Sequence, residues 1–454
     1  MMVTPGGRAV ARSGLLPISA DELLGYISDN SVRFIDLIQN CSENEGIECE
    51  DFCFLMIHAA YSCSEFGGQA VGGRRFLPYQ LLKPPLRGAQ QRLAPIMFKS
   101  GQYDTINATI LAMRWISGDP IRDIERVFSV RSGVLNNMFS DAANILRGIS
   151  DILYAVTGRQ GESMLPAATP LSKREELIYI LRAIRQVSAR LDVGLHEDSI
   201  WLTTVHYPLS NTSRSIPPIL SRKHIVSLRG AGFVSPDSIL DPGRFSSLMA
   251  ALGSDPASAR LLAQSLQDGV RSWRTVERQR LMDSQARRLP ECKSLILKFY
   301  RSTGVEFETN LELALECVGI KILEKDQAGK TSFPDFVTES IASRSTAIEC
   351  KSKTVGDSVN FNDATDVIRK ANVNGLSQSF KITVCQPYIS PDVPRKLTNC
   401  TELCVVNAED LAEALVRVKL GKISMETFAD WIQRPGQALR EMLPSDGSSV
   451  IGIS

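Results

Sequence analysis

Ser332-Phe-Pro-Asp-Phe-Val337 and Ala347-Ile-Glu-Cys-Lys-Ser-Lys353 organise the C-terminal half of the chain. Thr346–Cys350 reads as a strand. Side chains alternate across a strand with period two, so Glu349 and Lys351 share one face and Cys350 takes the opposite, buried one. Asp335 stands at the head of the preceding apolar run, Phe336-Val337, before a short polar turn around residues 343–345. Two strands joined by that turn bring Asp335 beside Glu349. Two carboxylates and an ammonium group then converge. One or two carboxylates, completed by water and phosphate oxygens, suit Mg²⁺. A metal so held can supply a hydroxide and stabilise charge on a scissile phosphate. The neighbouring lysine can orient the water or stabilise the transition state.

Upstream, Gly304-Val-Glu-Phe-Glu-Thr-Asn-Leu-Glu-Leu-Ala-Leu-Glu-Cys-Val-Gly319 places Phe307, Leu311, Leu315 and Val318 at three- and four-residue steps, an amphipathic helix ended by Gly319. The order helix with an early Glu, Gly, strand, Pro-Asp, strand with Glu-x-Lys resembles the PD-(D/E)xK nucleases of restriction-endonuclease-like fold, in their Mrr-like branch. The resemblance implies that Asp335 is the motif aspartate, Glu349 and Lys351 are the ExK pair, and Glu308 is the helix carboxylate, with Glu312 one turn on as its alternative. It further implies Mg²⁺ (or Mn²⁺) held by Asp335, Glu349, Glu308 and the Cys350 carbonyl, with Gln378 as a possible substrate contact. Asp363 and Asp366 fall in the helix that follows and are expected at the surface.

The 454 residues exceed one ordinary domain, and 43% hydrophobic with 22% charged residues fits globular units with sizeable cores. The net charge of +1 singles out no partner class. No apolar run reaches membrane-spanning length and no signal-peptide pattern opens the chain, so a cytoplasmic protein with no membrane contact is expected. Ten cysteines are scattered and read as reduced, small hydrophobes. Cys41, Cys49, Cys53 and Cys63 do not pair into the CxxC spacing of a zinc site. Ala328-Gly-Lys-Thr331 is not a phosphate-binding loop, because position 324 is Glu where glycine is required.

The first 265 residues read as helices: 31–40, 49–64, 103–116, a new helix from Pro120, then 137–156 and 173–192, with Ser19–Glu22 as a capping box. Arginines 74, 75, 87 and 92 lie in a Gly/Pro-bearing connection. Trp115-Ile-Ser-Gly-Asp-Pro120 and the long helix beyond it resemble the C-terminal helical ratchet bundle of Ski-like superfamily-two helicases. In that light, the polar, Gly-rich opening residues look like the tail of a winged helix. Ser215–Pro236 resembles the helix-hairpin-helix that closes such bundles, in which Gly230 and Gly232 would offer backbone N–H groups to a phosphate with Arg222, Lys223 and Arg229 nearby. No ATPase motor accompanies these elements.

The expected architecture is mixed. A lead-in (1–20) precedes an N-terminal all-α helical bundle with helix-hairpin-helix (21–265), a basic connecting helix (266–302) able to track phosphates, a C-terminal α/β nuclease domain (303–443) and a tail (444–454). The expected function is metal-dependent hydrolysis of DNA, with a separately encoded ATP-dependent helicase as partner, in antiphage defence or restriction. A non-catalytic DNA-binding subunit of a helicase complex, a DNA-repair nuclease and an RNA-directed module are the alternatives.

Overall fold

The computed structural model describes residues 5–39, 48–66, 93–99, 103–128, 130–157, 171–208, 215–216, 220–253, 255–326, 332–341, 344–353, 358–397 and 400–443. Arginines 74, 75, 87 and 92, the Ala328–Thr331 stretch, Cys41, the Cys49 side chain and the tail lie outside them. The chain forms two compact units, Met1–Thr204 with Ile219–Gly230, and Val205–Pro218 with Ala231–Ser454. The boundaries expected at 265 and 302 both fall inside the second unit.

The first unit is helical: α1 Pro5–Ser13, α2 Pro17–Asp29, α3 Ser31–Gln39, α4 Glu48–Tyr61, α5 Tyr103–Ile116, α6 Ile121–Phe128, α7 Ser132–Val156, α8 Leu171–Val193 and α9 Arg222–Gly230. Helix α7 is its axis. It buries Leu135, Met138, Phe139, Ala142, Ile145, Leu146, Ile149 and Leu153, steps of three and four that keep one broad stripe in the core. The polar opening forms helix α1, which packs on α7 at Gly148, where a Cβ would come within 3.0 Å of the Ser13 Cβ. The expected capping box at Ser19 is also replaced. Helix α2 begins two residues earlier at Pro17, and the Ser19 hydroxyl donates to Glu65 Oε2 at 2.6 Å. A proline at the first helical turn costs no hydrogen bond there, which moves the start forward.

The second unit opens with the two-residue ladder of β1 (Tyr207–Pro208) and β2 (Ser215–Ile216). Helices α10 Pro236–Leu240, α11 Phe245–Leu252, α12 Pro256–Arg288, α13 Lys293–Arg301 and α14 Val305–Cys317 follow. Then come β3 Ile322–Lys325, β4 Phe336–Ile341, β5 Arg344–Ser352, β6 Ser358–Val359, α15 Phe361–Val373, β7 Phe380–Gln386, β8 Tyr388–Ile389, α16 Asp392–Lys396, β9 Leu403–Asn407, α17 Ala408–Lys419, α18 Met425–Ile432 and β10 Gly436–Ala438. One six-stranded sheet runs β10-β9-β7-β5-β4-β3. The β3-β4-β5 side is antiparallel, and β5, β7, β9 and β10 are parallel. Strand β7 is buried along all seven residues, as a central parallel strand covered on both faces should be.

The two faces of the sheet have separate cores. Ile348, Ile382, Val384, Cys404 and Val406 pack with Phe299, Phe307, Leu311 and Leu415 of α13, α14 and α17. Ala347, Cys385, Leu403 and Val405 pack with Ala364, Val367 and Ala371 of α15 and Val393 of α16. Cys385 and Cys404 are buried among them as small hydrophobes, as are Cys53 and Cys63 in the first unit.

The basic stretch of α12 is a wall of this unit. Met282 and Ala286 enter the core. Arg278 pairs with Glu409 at 3.1 Å, and Arg288 binds the Glu413 carboxylate through both Nη atoms. A cation whose donors are filled by internal carboxylates offers little to an external phosphate. Among the basic side chains of this helix, Arg271 and Arg280 stand out in solvent with only i,i+3 partners.

Candidate functional site

The antiparallel register pairs Phe336 with Ile348, so Asp335 stands opposite Glu349. The Asp335 Oδ2 accepts the Cys350 N–H at 2.6 Å, which ties the loop before β4 to β5. Period two holds along β5. Ile348 and Cys350 pack toward α14, while Ala347, Glu349 and Lys351 face α15. Glu349 is 2% exposed. Its Oε1 accepts from Lys351 Nζ at 2.7 Å and from Lys370 Nζ at 2.6 Å. Its Oε2 is buried with no hydrogen-bond partner.

Lys370 and Asp366 were not anticipated as members of this site. Both come from α15. Asp366 is a quarter exposed and pairs with Lys351 at 3.3 Å, and Asp363 pairs with Lys353 at 2.7 Å, so both lie at the partly exposed margin expected of them, each with a lysine partner. The available signal was the helix stripe Ala364-Val367-Lys370/Ala371, which sets a lysine among residues that must face the sheet.

Glu308 lies on the other side of β5, at the start of α14, and acts on Asp335 through the field. Burial first, then Glu349 and Asp326, raise its carboxyl above the usual range. Glu312, the alternative, is taken by Lys325 at the sheet edge. Asp326, beside Asp335 through its N–H to the Asp335 carbonyl (3.1 Å), was not anticipated and keeps Oδ1 buried without a partner. Burial and the Glu349 charge raise Asp335 to about 7, with the Cys350 N–H and Lys370 opposing. Burial and the three carboxylates Asp335, Glu308 and Glu349 push the half-buried Cys350 thiol well up. For Lys351, burial lowers and Glu349 and Asp366 raise, with a net rise that keeps it an ammonium. Gln378 is exposed in the turn before β7, at the strand end away from Lys351. At the near end, Gln386 is buried and donates to the Ser302 carbonyl, and the Gly304 N–H donates to Ser352 Oγ at 2.7 Å, fastening the start of α14 to β5 and β7.

Two observations fit a divalent cation: a buried carboxylate oxygen with no partner, and four carboxylates (Glu308, Asp326, Asp335, Glu349) against two ammonium groups (Lys351, Lys370). Oxygen donors of this kind suit Mg²⁺ or Mn²⁺. Among the described residues, no three His, Cys, Asp or Glu side chains stand close enough to form a metal-holding group. The fit therefore rests on Asp335 and Glu349, with water and phosphate completing the shell.

The nucleic-acid residues expected around Gly230 are divided between the units, with α9 in the first and Gly232 in the second. Arg222 donates to the carbonyls of Gly194 (2.6 Å), Trp115 (2.8 Å) and Asp119 (2.9 Å), and lies 3.9 Å over the Trp115 ring. Gly194, at φ +66°, allows this, since a Cβ there would come 2.2 Å from that ring. Arg229 binds both oxygens of Asp198 at 3.0 and 3.1 Å. Lys223, Gly230 and Gly232 are exposed. Arg222→Ala is expected to cost about 3 kcal/mol, because three carbonyls lose a charged donor and the ring loses its cation. A urea midpoint unchanged by Arg222→Ala would refute that placement.

No helix among the described residues is long and apolar enough to cross a membrane. Comparison of the chain with protein-family models, with curated proteins and with solved structures returns no match.

Proposed function

We propose that the second unit is a metal-dependent nuclease that hydrolyses DNA phosphodiester bonds. The observation that carries this reading is Glu349: a fully buried carboxylate, held by two lysines through one oxygen, with the other oxygen unpartnered and Asp335 across the ladder. The element order α14, β3, β4, β5 also follows the order that the sequence resemblance implies. Asp335 and Glu349, with the Cys350 carbonyl, would hold Mg²⁺ or Mn²⁺. Such a cation supplies an activated water and neutralises phosphate charge.

The protein's own groups do the rest. Lys351, fixed between Glu349 and Asp366, stays protonated and presents positive charge to the phosphate; it is a donor and not a base. Asp366 holds the lysine against the carboxylate and is in turn held by Arg369 at 2.7 Å. Glu308 adds negative field from the helix and favours cation entry. A separately encoded ATP-driven helicase, working with this chain in antiphage defence, belongs to the same proposal and rests on the resemblance of the first unit.

A second reading, a DNA-binding unit without hydrolysis, draws on the lack of a three-ligand group among the described residues. Purified protein is expected to cut DNA with Mg²⁺ or Mn²⁺ and not with EDTA. Lys351→Ala should lower the rate on the order of a hundredfold or more. DNA that is bound and left intact under every metal condition would favour the second reading.

A further inference from the structure

We infer that Lys370 is a positioning residue and built-in counter-ion for Glu349, which reserves Glu349 Oε2 for the cation and sets how much cation the site demands. The inference rests on the metal-site reading above and adds a device that governs its occupancy. Lys370 sits in the buried stripe of α15, 7% exposed, where a lysine is costly unless paired. Its Nζ donates to Glu349 Oε1 at 2.6 Å. No carboxylate other than Glu349 is a hydrogen-bonding or ion-pair partner of that ammonium group among the described residues. The two are locked: α15 packs on β5 and β7, and Thr383 Oγ1 donates to the Ala364 carbonyl at 2.7 Å nearly two turns before Lys370.

This geometry has two consequences. First, a carboxylate gripped at one oxygen by two ammonium groups cannot swing, so the free oxygen keeps a fixed direction. Second, a buried positive charge in contact with a metal ligand opposes a divalent cation directly, and in low dielectric that opposition is strong. Without a cation, Lys370 makes burial of Glu349 tolerable. With one, it weakens binding, so occupancy needs more free cation than the carboxylates alone would. Lys351 shares the grip but not the role, because it is 23% exposed at its side chain and divided between Glu349 and Asp366.

The test is Mn²⁺ binding by calorimetry, with thermal melting in EDTA and in Mn²⁺, on wild type and Lys370→Met. The expected result is tenfold or tighter Mn²⁺ binding by the variant. Its melting temperature in EDTA should be lower, and its rise on adding Mn²⁺ larger than wild type's. Equal or weaker binding by a folded variant overturns the counter-ion inference while leaving the metal site standing. Absence of Mn²⁺ binding by wild type as well overturns the metal-site reading, and this inference with it. Should Lys370→Met alone fail to fold, Lys370→Met combined with Glu349→Gln decides. That pair leaves no lone buried charge, so recovery of folding supports the pairing and continued failure overturns it.

Discussion

Asp335→Asn is expected to abolish metal-dependent hydrolysis and, in EDTA at pH 8, to make the protein more stable. The two effects have one cause. Burial and the Glu349 charge raise the Asp335 carboxyl from 3.8 to about 7. Below pH 3.8 it is protonated in both folded and unfolded states and contributes nothing to the pH dependence. Between 3.8 and about 7 the unfolded chain has released its proton and the folded one has not, so stability falls as pH rises. Above 7 the deficit is complete, on the order of 4 kcal/mol. Asparagine keeps the shape, still accepts the Cys350 N–H, and carries no charge. The stability gap between variant and wild type should therefore widen from pH 4.5 to pH 8 in EDTA. It should shrink in saturating Mg²⁺, which compensates the wild-type carboxylate. Activity should drop at least about a hundredfold, the scale of losing an electrostatic element fixed against the reacting phosphate. Urea midpoints across pH, with and without Mg²⁺, together with a cleavage assay, check both halves. A gap that does not change with pH would mean that Asp335 titrates like a solvated carboxyl.

Glu413→Ala is expected to cost about 3–5 kcal/mol, the range for breaking one partner out of a buried ionic cluster. Glu413 is 4% exposed. Arg288 reaches both its oxygens, Arg417 donates to Oε1 at 2.8 Å, and Gln285, itself fully buried, donates to Oε2 at 3.2 Å. Burial pushes the carboxyl up, but the two arginines outweigh it and hold it below the usual range. Truncation would strand Arg288 and Gln285 against α17. The control is Arg280→Ala, whose i,i+3 partner Glu277 lies at the surface, where such a pair contributes well under about 1 kcal/mol. Urea unfolding of the two variants side by side gives the comparison. Similar midpoints would show that the cluster carries no more weight than a surface pair.

The legible part of the site was its local part. Alternation along β5 put Glu349 with Lys351 and opposed Cys350, because a strand's period is a property of its own backbone. The antiparallel return from β4 placed Asp335, since a short turn leaves few registers that keep Phe336 and Ile348 in the core. Lys370 and Asp366 escaped because their partners lie 21 and 15 residues away in sequence, across a helix–sheet contact. Charged residues on a helix are ordinarily solvated, and only the buried stripe of α15 marks them out. Arg222 shows the reverse case. A cation beside a Gly-x-Gly turn suggests phosphate, whereas its fork fits the carbonyls of Gly194, Trp115 and Asp119. In the basic run of α12 the internal partners were equally hard to read. Its arginines dominate the composition, and the Met282-Ala286 stripe that seats it in the core is short.

The partition of the chain has a practical consequence for cutting it. The path leaves the helical unit after Thr204, returns at Ile219, and leaves again after Gly230. No single scission therefore yields both halves whole, and the two cannot be expressed as a simple front and back. A fragment begun at 303, where the sequence motif starts, would omit α12 and α13. It would bare Glu409 and Glu413, remove Phe299 from its stack on Phe307 at 5.3 Å, and leave the face of α14 that presents Glu308 unsupported. A piece that keeps α12 whole along with these partners starts upstream of Pro256, so the sequence motif and the segment that packs around it differ in length by some fifty residues.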